Sequence, residues 1–380
     1  MSYELETAVE LKTAKQLDDI FGNPPVVNIK VVGVGGAGCN SINRMIEDGV
    51  NLEGVEFIAI NTDKNALSVN RASQKLCIGQ KTTKGWGAGT DPNVGQKAAE
   101  ESADEIRTAI EGADMLFLTA GMGGGTGTGA APVVASIAKE LGILTVAIVT
   151  KPFEFEGVHK MLNAEIGLEN LSQFVDAYVV VPNQKLVERL STKTTMKDAF
   201  KIADEVLRKG VIGLAEVIVH PMMINVDYAD IRTVLKDAGI AHMGVGVAKG
   251  ENRVLDAIKQ AVASPLIETS ISGATGLIIC IKSGESLGMS EVSNYIMLVR
   301  NLVHERCNIK YGVEINSKYG DEVEVLIIAS GFANDQEPVK KEVSNWNPDN
   351  VEQPKEPEPE APKKNVPPFF AHFNNFKKTK

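Results

Sequence analysis

"GMGGGTGTGAAP", residues 121–132, decides the fold. It places five glycines and two threonines in positions 123–129, between the apolar run "ADMLFLTA" (113–120) and the helix-forming run "APVVASIAKELG" (131–142). A strand that passes through bare backbone into a helix start collects amide N–H groups and the positive end of the helix dipole at one spot. A tight turn needs one or two glycines. Five, interleaved with hydroxyls, indicate an anion held against the backbone.

A second loop repeats the arrangement. "VVNIKVVGVGGAG" (26–38) reads as a buried strand entering G-x-G-x-x-G at Gly33–Gly38, with "CNSINRMIEDGV" (39–50) helical beyond it. Alone, that fingerprint is balanced evenly between a nucleotide cradle and glycines used for close packing. A dinucleotide site also wants an acid closing the second strand, whereas "VEFIAIN" (55–61) ends in Asn61, with Asp63 two residues further. The NAD-dependent oxidoreductase reading is therefore incomplete and stands as an alternative. Strands and helices alternate through "KLCIG", "ADMLFLTA", "ILTVAIVT" and "DAYVVVPN", which predicts an α/β fold with a doubly wound parallel sheet. In such a sheet the first strands of the two halves are neighbours, so both glycine loops face one crevice and suit a di- or triphosphate. Neither loop contains G-K-[ST]. Amides, helix dipoles and a bound Mg²⁺ would have to offset the phosphate charge, with the metal ligands left open.

The rest of the chain bounds the reading. Its 380 residues suffice for two domains and a tail, and its net charge of −10 argues against wrapping nucleic acid. Cys39, Cys77, Cys280 and Cys307 form no C-x-x-C, which fits neither a zinc site nor a disulfide framework and accords with a reducing cytoplasm. The N-terminus lacks the basic start and apolar block of a signal peptide, and no apolar run approaches the ~20 residues of a bilayer span. Direct membrane insertion is not expected. The expected organisation is an N-terminal helical extension (1–28), a nucleotide-binding domain (29–194), a long central helix (195–219), a second α/β domain with a mixed sheet (220–333), a disordered linker rich in Pro, Glu and Lys (334–365), and a docking peptide (366–380).

"GGGTGTG" resembles the tubulin signature loop, and "AGMGGGTGTGAAPVVA", "NTD", "GAGTDP", "TKPFEFEG" and "NVDYADIRTV" together resemble the FtsZ family of tubulin-like cell-division GTPases. The resemblance runs from about Ile29 to Phe332. It implies GTP/GDP with Mg²⁺, a tubulin/FtsZ-like fold, head-to-tail homopolymers, and a cytoplasmic protein at a division ring at midcell. Carried over by position, Gly35, Gly36 and Asn40 would lie at the nucleotide, Gly87, Ala88 and Gly89 near the terminal phosphate, and Gly123, Gly124, Gly125, Thr126, Gly127, Thr128 and Gly129 around the phosphates. Glu156 would meet the ribose. Lys160 stands where the family often has arginine, keeping the charge without the bidentate fork. Asn183 falls near the site. Guanine presents N–H donors that a carboxylate accepts, which assigns Asp204 to the base and Phe200 to packing on it.

Asp227 and Asp230 in "NVDYAD" are three apart at a helix start, and spacing alone favours a helix cap. The resemblance implies that this loop enters the neighbouring subunit's GTP site, where the two acids, supported by Asn225, orient the attacking water and assist Mg²⁺. The end "VPPFFAHFNNF" resembles in place and character the family's terminal peptide, which docks on membrane-tethering and regulatory division proteins. The remaining alternative is a tubulin-like GTP-binding scaffold without a division role.

Overall fold

The computed structural model describes residues 27–47, 54–188, 194–220, 222–264 and 271–332. The expected extension before residue 27, the linker 334–365 and the docking peptide 366–380 lie outside the described residues.

The described strands are β1 (Ile29–Val34), β2 (Val55–Asn61), β3 (Gln74–Cys77), β4 (Met115–Gly121), β5 (Leu144–Lys151), β6 (Ala177–Pro182), β7 (Gly239–Ala248), β8 (Gly276–Ser283), β9 (Asn308–Ile315) and β10 (Val323–Ser330). They form one sheet in the order β3-β2-β1-β4-β5-β6-β7-β10-β8-β9. The first six are parallel, and β1 lies between β2 and β4 with Val34 level with Ala120. The order reverses at β1 and β4, which makes their carboxyl ends the switch point.

Apolar side chains alternate between the two faces because both are covered. Val31, Met115 and Phe117 pack toward the Gly35–Glu47 helix and the central helix. Val32, Leu116 and Leu118 pack toward the helices Pro92–Glu101, Ala103–Ile110, Thr126–Glu140 and Val158–Ser172. The stretch 94–112 reads as one continuous helix in the sequence, but it is broken at Ser102. There the Ser102 hydroxyl oxygen accepts the Gly79 N–H at 3.1 Å, a contact from 23 residues away that outweighs the local periodicity.

The central helix, Met196–Val219, starts where the Thr195 hydroxyl accepts the Asp198 N–H, and 24 residues carry it about 36 Å. Its glycines permit close approach: a Cβ at Gly210 would lie 2.8 Å from Met243 Cε, and one at Gly213 2.9 Å from Leu326 Cδ2. Near its end Glu216 pairs with the buried Lys282 of β8, which also meets Glu324 at 3.5 Å. Burial alone would lower the Lys282 pKa, but Glu216 and Glu324 overcome it and hold the ammonium above its ordinary range. The second α/β part is not a separate sheet. β7 pairs parallel with β6 at Gly239 and Ile240, then antiparallel with β10 from Ala241 to Ala248, so a single strand belongs to both halves.

Candidate functional site

At the switch point two helix N-termini, Gly35–Glu47 and Thr126–Glu140, open side by side, and neither has an acid in its first turn. The absence of a like charge leaves both dipole ends free to face an anion. The second helix begins at Thr126, five residues before the expected 131, so the loop proper is Met122–Gly125. Most glycines of the signature therefore serve close packing. Gly123 alone among them has positive φ, +103°, with Lys160 O 2.7 Å from a would-be Cβ. A Cβ on Gly127 would be 2.5 Å from Gly121 O, one on Gly125 2.8 Å from Ala88 Cβ, and one on Gly129 would run into the Pro92 carbonyl. Gly35, φ +73°, packs on Gly127, so the two loops touch each other.

Four other glycines have open space beside them. Cβ atoms on Gly36, Gly87, Gly89 and Gly124 would meet nothing within 4 Å. These four face free space from three separate segments, while Ala88 is buried behind them. The threonine hydroxyls brace the cradle from within: Thr126 Oγ1 and Thr62 Oγ1 share a hydrogen bond of 2.7 Å, and Thr128 Oγ1 accepts the Gly123 N–H at 2.8 Å. Each retains hydrogen-bonding capacity, but backbone N–H groups are the main donors.

Beyond the glycine cradle the crevice is built from helix faces. Gly36 and Asn40 are exposed one turn apart, and Arg44 follows on the same side, about 12 Å from Gly36. The Arg44 charge acts on Asp204 across the packing of this helix against the central helix. Burial raises the Asp204 carboxyl to about 6, and Arg44 only partly opposes it. Asp204 is half-buried, which accounts for the raised carboxyl. Asn183, 5% exposed at the carboxyl end of β6, has Oδ1 unpaired among the described residues. A buried acceptor left open in this way fits a ligand bearing N–H or O–H donors. Phe200 packs edge-on against Phe153 at 5.0 Å and lies 6.4 Å from Phe155. Phe155, 61% exposed, extends the aromatic surface beyond the single phenylalanine expected. Glu156 Oε2 accepts from Lys160 Nζ at 2.9 Å and Oε1 from the Phe153 N–H at 3.0 Å, so Lys160 orients the acid.

Asn225, Asp227 and Asp230 lie elsewhere. Tyr228 Oη donates to the carbonyl of Asp114, immediately before β4, at 2.8 Å. The acid loop thus sits at the amino edge of the parallel strands, and the seven residues of β4 put it about 20 Å from the glycine cradle. Asp227 caps the Tyr228–Leu235 helix, with Oδ1 accepting the Asp230 N–H at 2.7 Å. Ile224 bridges Val313 of β9, and Gly312 lets the loop lie on the strand, since a Cβ there would be 2.9 Å from Met222 Sδ. Lys310 of β9, which nothing in the local sequence marks, pairs with Asp230 Oδ1 at 2.7 Å.

The dehydrogenase alternative finds no support here. Asn61 Oδ1 accepts from Thr62 N–H at 2.9 Å, and Asp63 Oδ1 caps its own helix through Asn65 N–H at 2.8 Å, so both side chains already serve the local backbone. For Mg²⁺, no cluster of three or more His, Cys, Asp or Glu occurs among the described residues. No helix among the described residues is long and apolar enough to cross a membrane.

A doubly wound sheet with two glycine cradles at its switch point, a long central helix and a joined second half is the architecture of the tubulin-like nucleotide-binding proteins. The Tubulin/FtsZ family GTPase domain matches residues 28–191, and the FtsZ family C-terminal domain matches 239–333. An FtsZ dimer of M. jannaschii is 43% identical with a TM-score of 0.78, covering 84% of this chain and 92% of that one. A mutant FtsZ of the same organism is 42% identical with a TM-score of 0.77, covering 86% and 96%. CetZ1 from Haloferax volcanii, a GDP-bound monomer, shares the fold at 23% identity and a TM-score of 0.71, covering 81% and 95%. The chain belongs to the FtsZ family and is a GTPase.

Proposed function

We propose that this GTPase assembles head to tail into filaments that form a division ring, and that GTP is cut only at the contact between subunits. The observation that carries this reading is the separation of cradle and acids at opposite ends of the same parallel strands. A site split that way closes only across a heterologous contact, and repetition of that contact gives an open filament. The M. jannaschii relative is described as a dimer, which accords with association between copies.

In this reading Gly35, Gly36 and Asn40 lie at the nucleotide, Gly87, Ala88 and Gly89 near the terminal phosphate and the segment Gly123–Gly129 around the phosphates, and Glu156, braced by Lys160, meets the ribose. Asn183, Phe200 and Asp204 hold guanine, whose N1–H and N2–H₂ donate to the Asp204 carboxylate. Asp227 and Asp230 of the next subunit, with Asn225, position the attacking water. Mg²⁺ keeps several waters and binds through substrate phosphates and one or two carboxylates, which such a contact would supply. The peptide 366–380 would dock the filament on membrane-tethering and regulatory partners. Phosphate release per molecule should rise steeply with protein concentration alongside light scattering, and Asp227→Asn should scatter light with GTP while releasing phosphate at least tenfold more slowly. Constant specific activity down to dilute protein would place the chemistry in a single subunit and overturn the reading.

A further inference from the structure

The glycine cradle contains no lysine, and the acid loop brings two carboxylates toward a polyphosphate that is itself negative. A cation is already attached to that loop. Lys310 Nζ stands 2.7 Å from Asp230 Oδ1, with the side chains 31% and 32% exposed. Lys310 lies on β9 two residues from Gly312 and three from Val313, the positions on which the loop is seated. The strand that carries the loop therefore also carries its counter-charge.

We propose that Lys310 is a positioning residue for Asp230: it fixes the carboxylate's orientation and removes one net negative charge from the acid pair, so that the pair can enter a neighbouring subunit's phosphate site. This rests on the shared-site reading above. An ion pair this exposed contributes little to folding in a free subunit. Its influence grows when the contact closes and excludes water, because charge interactions strengthen as the local dielectric falls. Lys310 then decides whether Asp230 arrives oriented and neutralised or free and repelled.

The test uses the full chain with Lys310→Gln, Lys310→Arg, Asp230→Asn and the Asp230→Asn/Lys310→Gln double variant. Phosphate release at saturating GTP, KM for GTP and the sedimentable fraction are measured together. Lys310→Gln should lower kcat about tenfold with KM and assembly unchanged, and Lys310→Arg should stay within about twofold of the parent. In the Asp230→Asn background Lys310→Gln should cause no further loss, because its effect passes through Asp230. A parental kcat for Lys310→Gln, or an equal loss in both backgrounds, overturns the proposal. If Lys310→Gln loses assembly, recovery in the double variant supports charge neutralisation, and continued loss overturns it. Asp230→Asn at the parental rate would remove the shared-site reading as well, whereas a slow Asp230→Asn with an unaffected Lys310→Gln removes only the role of Lys310.

Discussion

Asp204 is an acid held in the wrong protonation range for an exposed side chain, and its environment states why. Burial raises its carboxyl from 3.8 to about 6, with Arg44 opposing. In the nucleotide-free protein the charged form is the disfavoured one, so this group costs stability above about pH 6 and the cost fades as pH falls through that value. In the proposed site, donors from guanine would reverse the preference, and binding would release a proton in this range. GTP affinity should consequently fall as pH drops below about 6, by up to roughly tenfold per unit. Asp204→Asn should abolish that slope and weaken the discrimination of GTP from ATP, as read by calorimetry across pH 5 to about 8. The acid itself is visible in the sequence only by resemblance. Its desolvation is not, because the Gly35–Glu47 helix that packs against the central helix lies some 160 positions away in the chain.

At the scale of elements, the glycine signature divides into two kinds of position that the sequence writes with the same letter. Gly124 faces free space, so Gly124→Ala should leave the melting temperature unchanged while weakening GTP binding at least tenfold, or about 1.4 kcal/mol. Gly129 lies inside a helix, where alanine ordinarily gains about 0.5–1 kcal/mol. Here the added methyl would run into the Pro92 carbonyl, so Gly129→Ala should instead destabilise by about 1–3 kcal/mol. Denaturant titration of both variants beside GTP binding checks the division, and equal behaviour of the two would contradict it. The first six strands are legible because each is a short apolar run followed by turn residues. The start of the helix at Thr126, the break at Ser102 and the change of partner along β7 are not, since each is decided by contacts between distant segments. Lys310 is hidden for the same reason: only the fold brings it to Asp230, 80 residues earlier.

For the whole molecule, the proposed function makes the cradle and the acids two half-sites mounted on one sheet. Gly124→Asp, which places a carboxylate where polyphosphate would sit, and Asp227→Asn should each be inactive alone. Mixed in equal amounts, they should recover roughly a quarter of the parental phosphate release, because that fraction of randomly ordered contacts joins an intact cradle to intact acids. No recovery, with both variants incorporated into filaments, would argue that each subunit cuts its own GTP. The Tyr228–Asp114 tether has a further arithmetic consequence. On the proposed shared-site reading, fixing the acids to the far edge of the strands would leave a filament with one complete site fewer than it has subunits. The subunit at one tip would then carry uncut GTP until another arrived, while the opposite tip would display idle acids and no exposed nucleotide. Such a polymer growing at one tip would mark its newest contacts with fuel not yet spent.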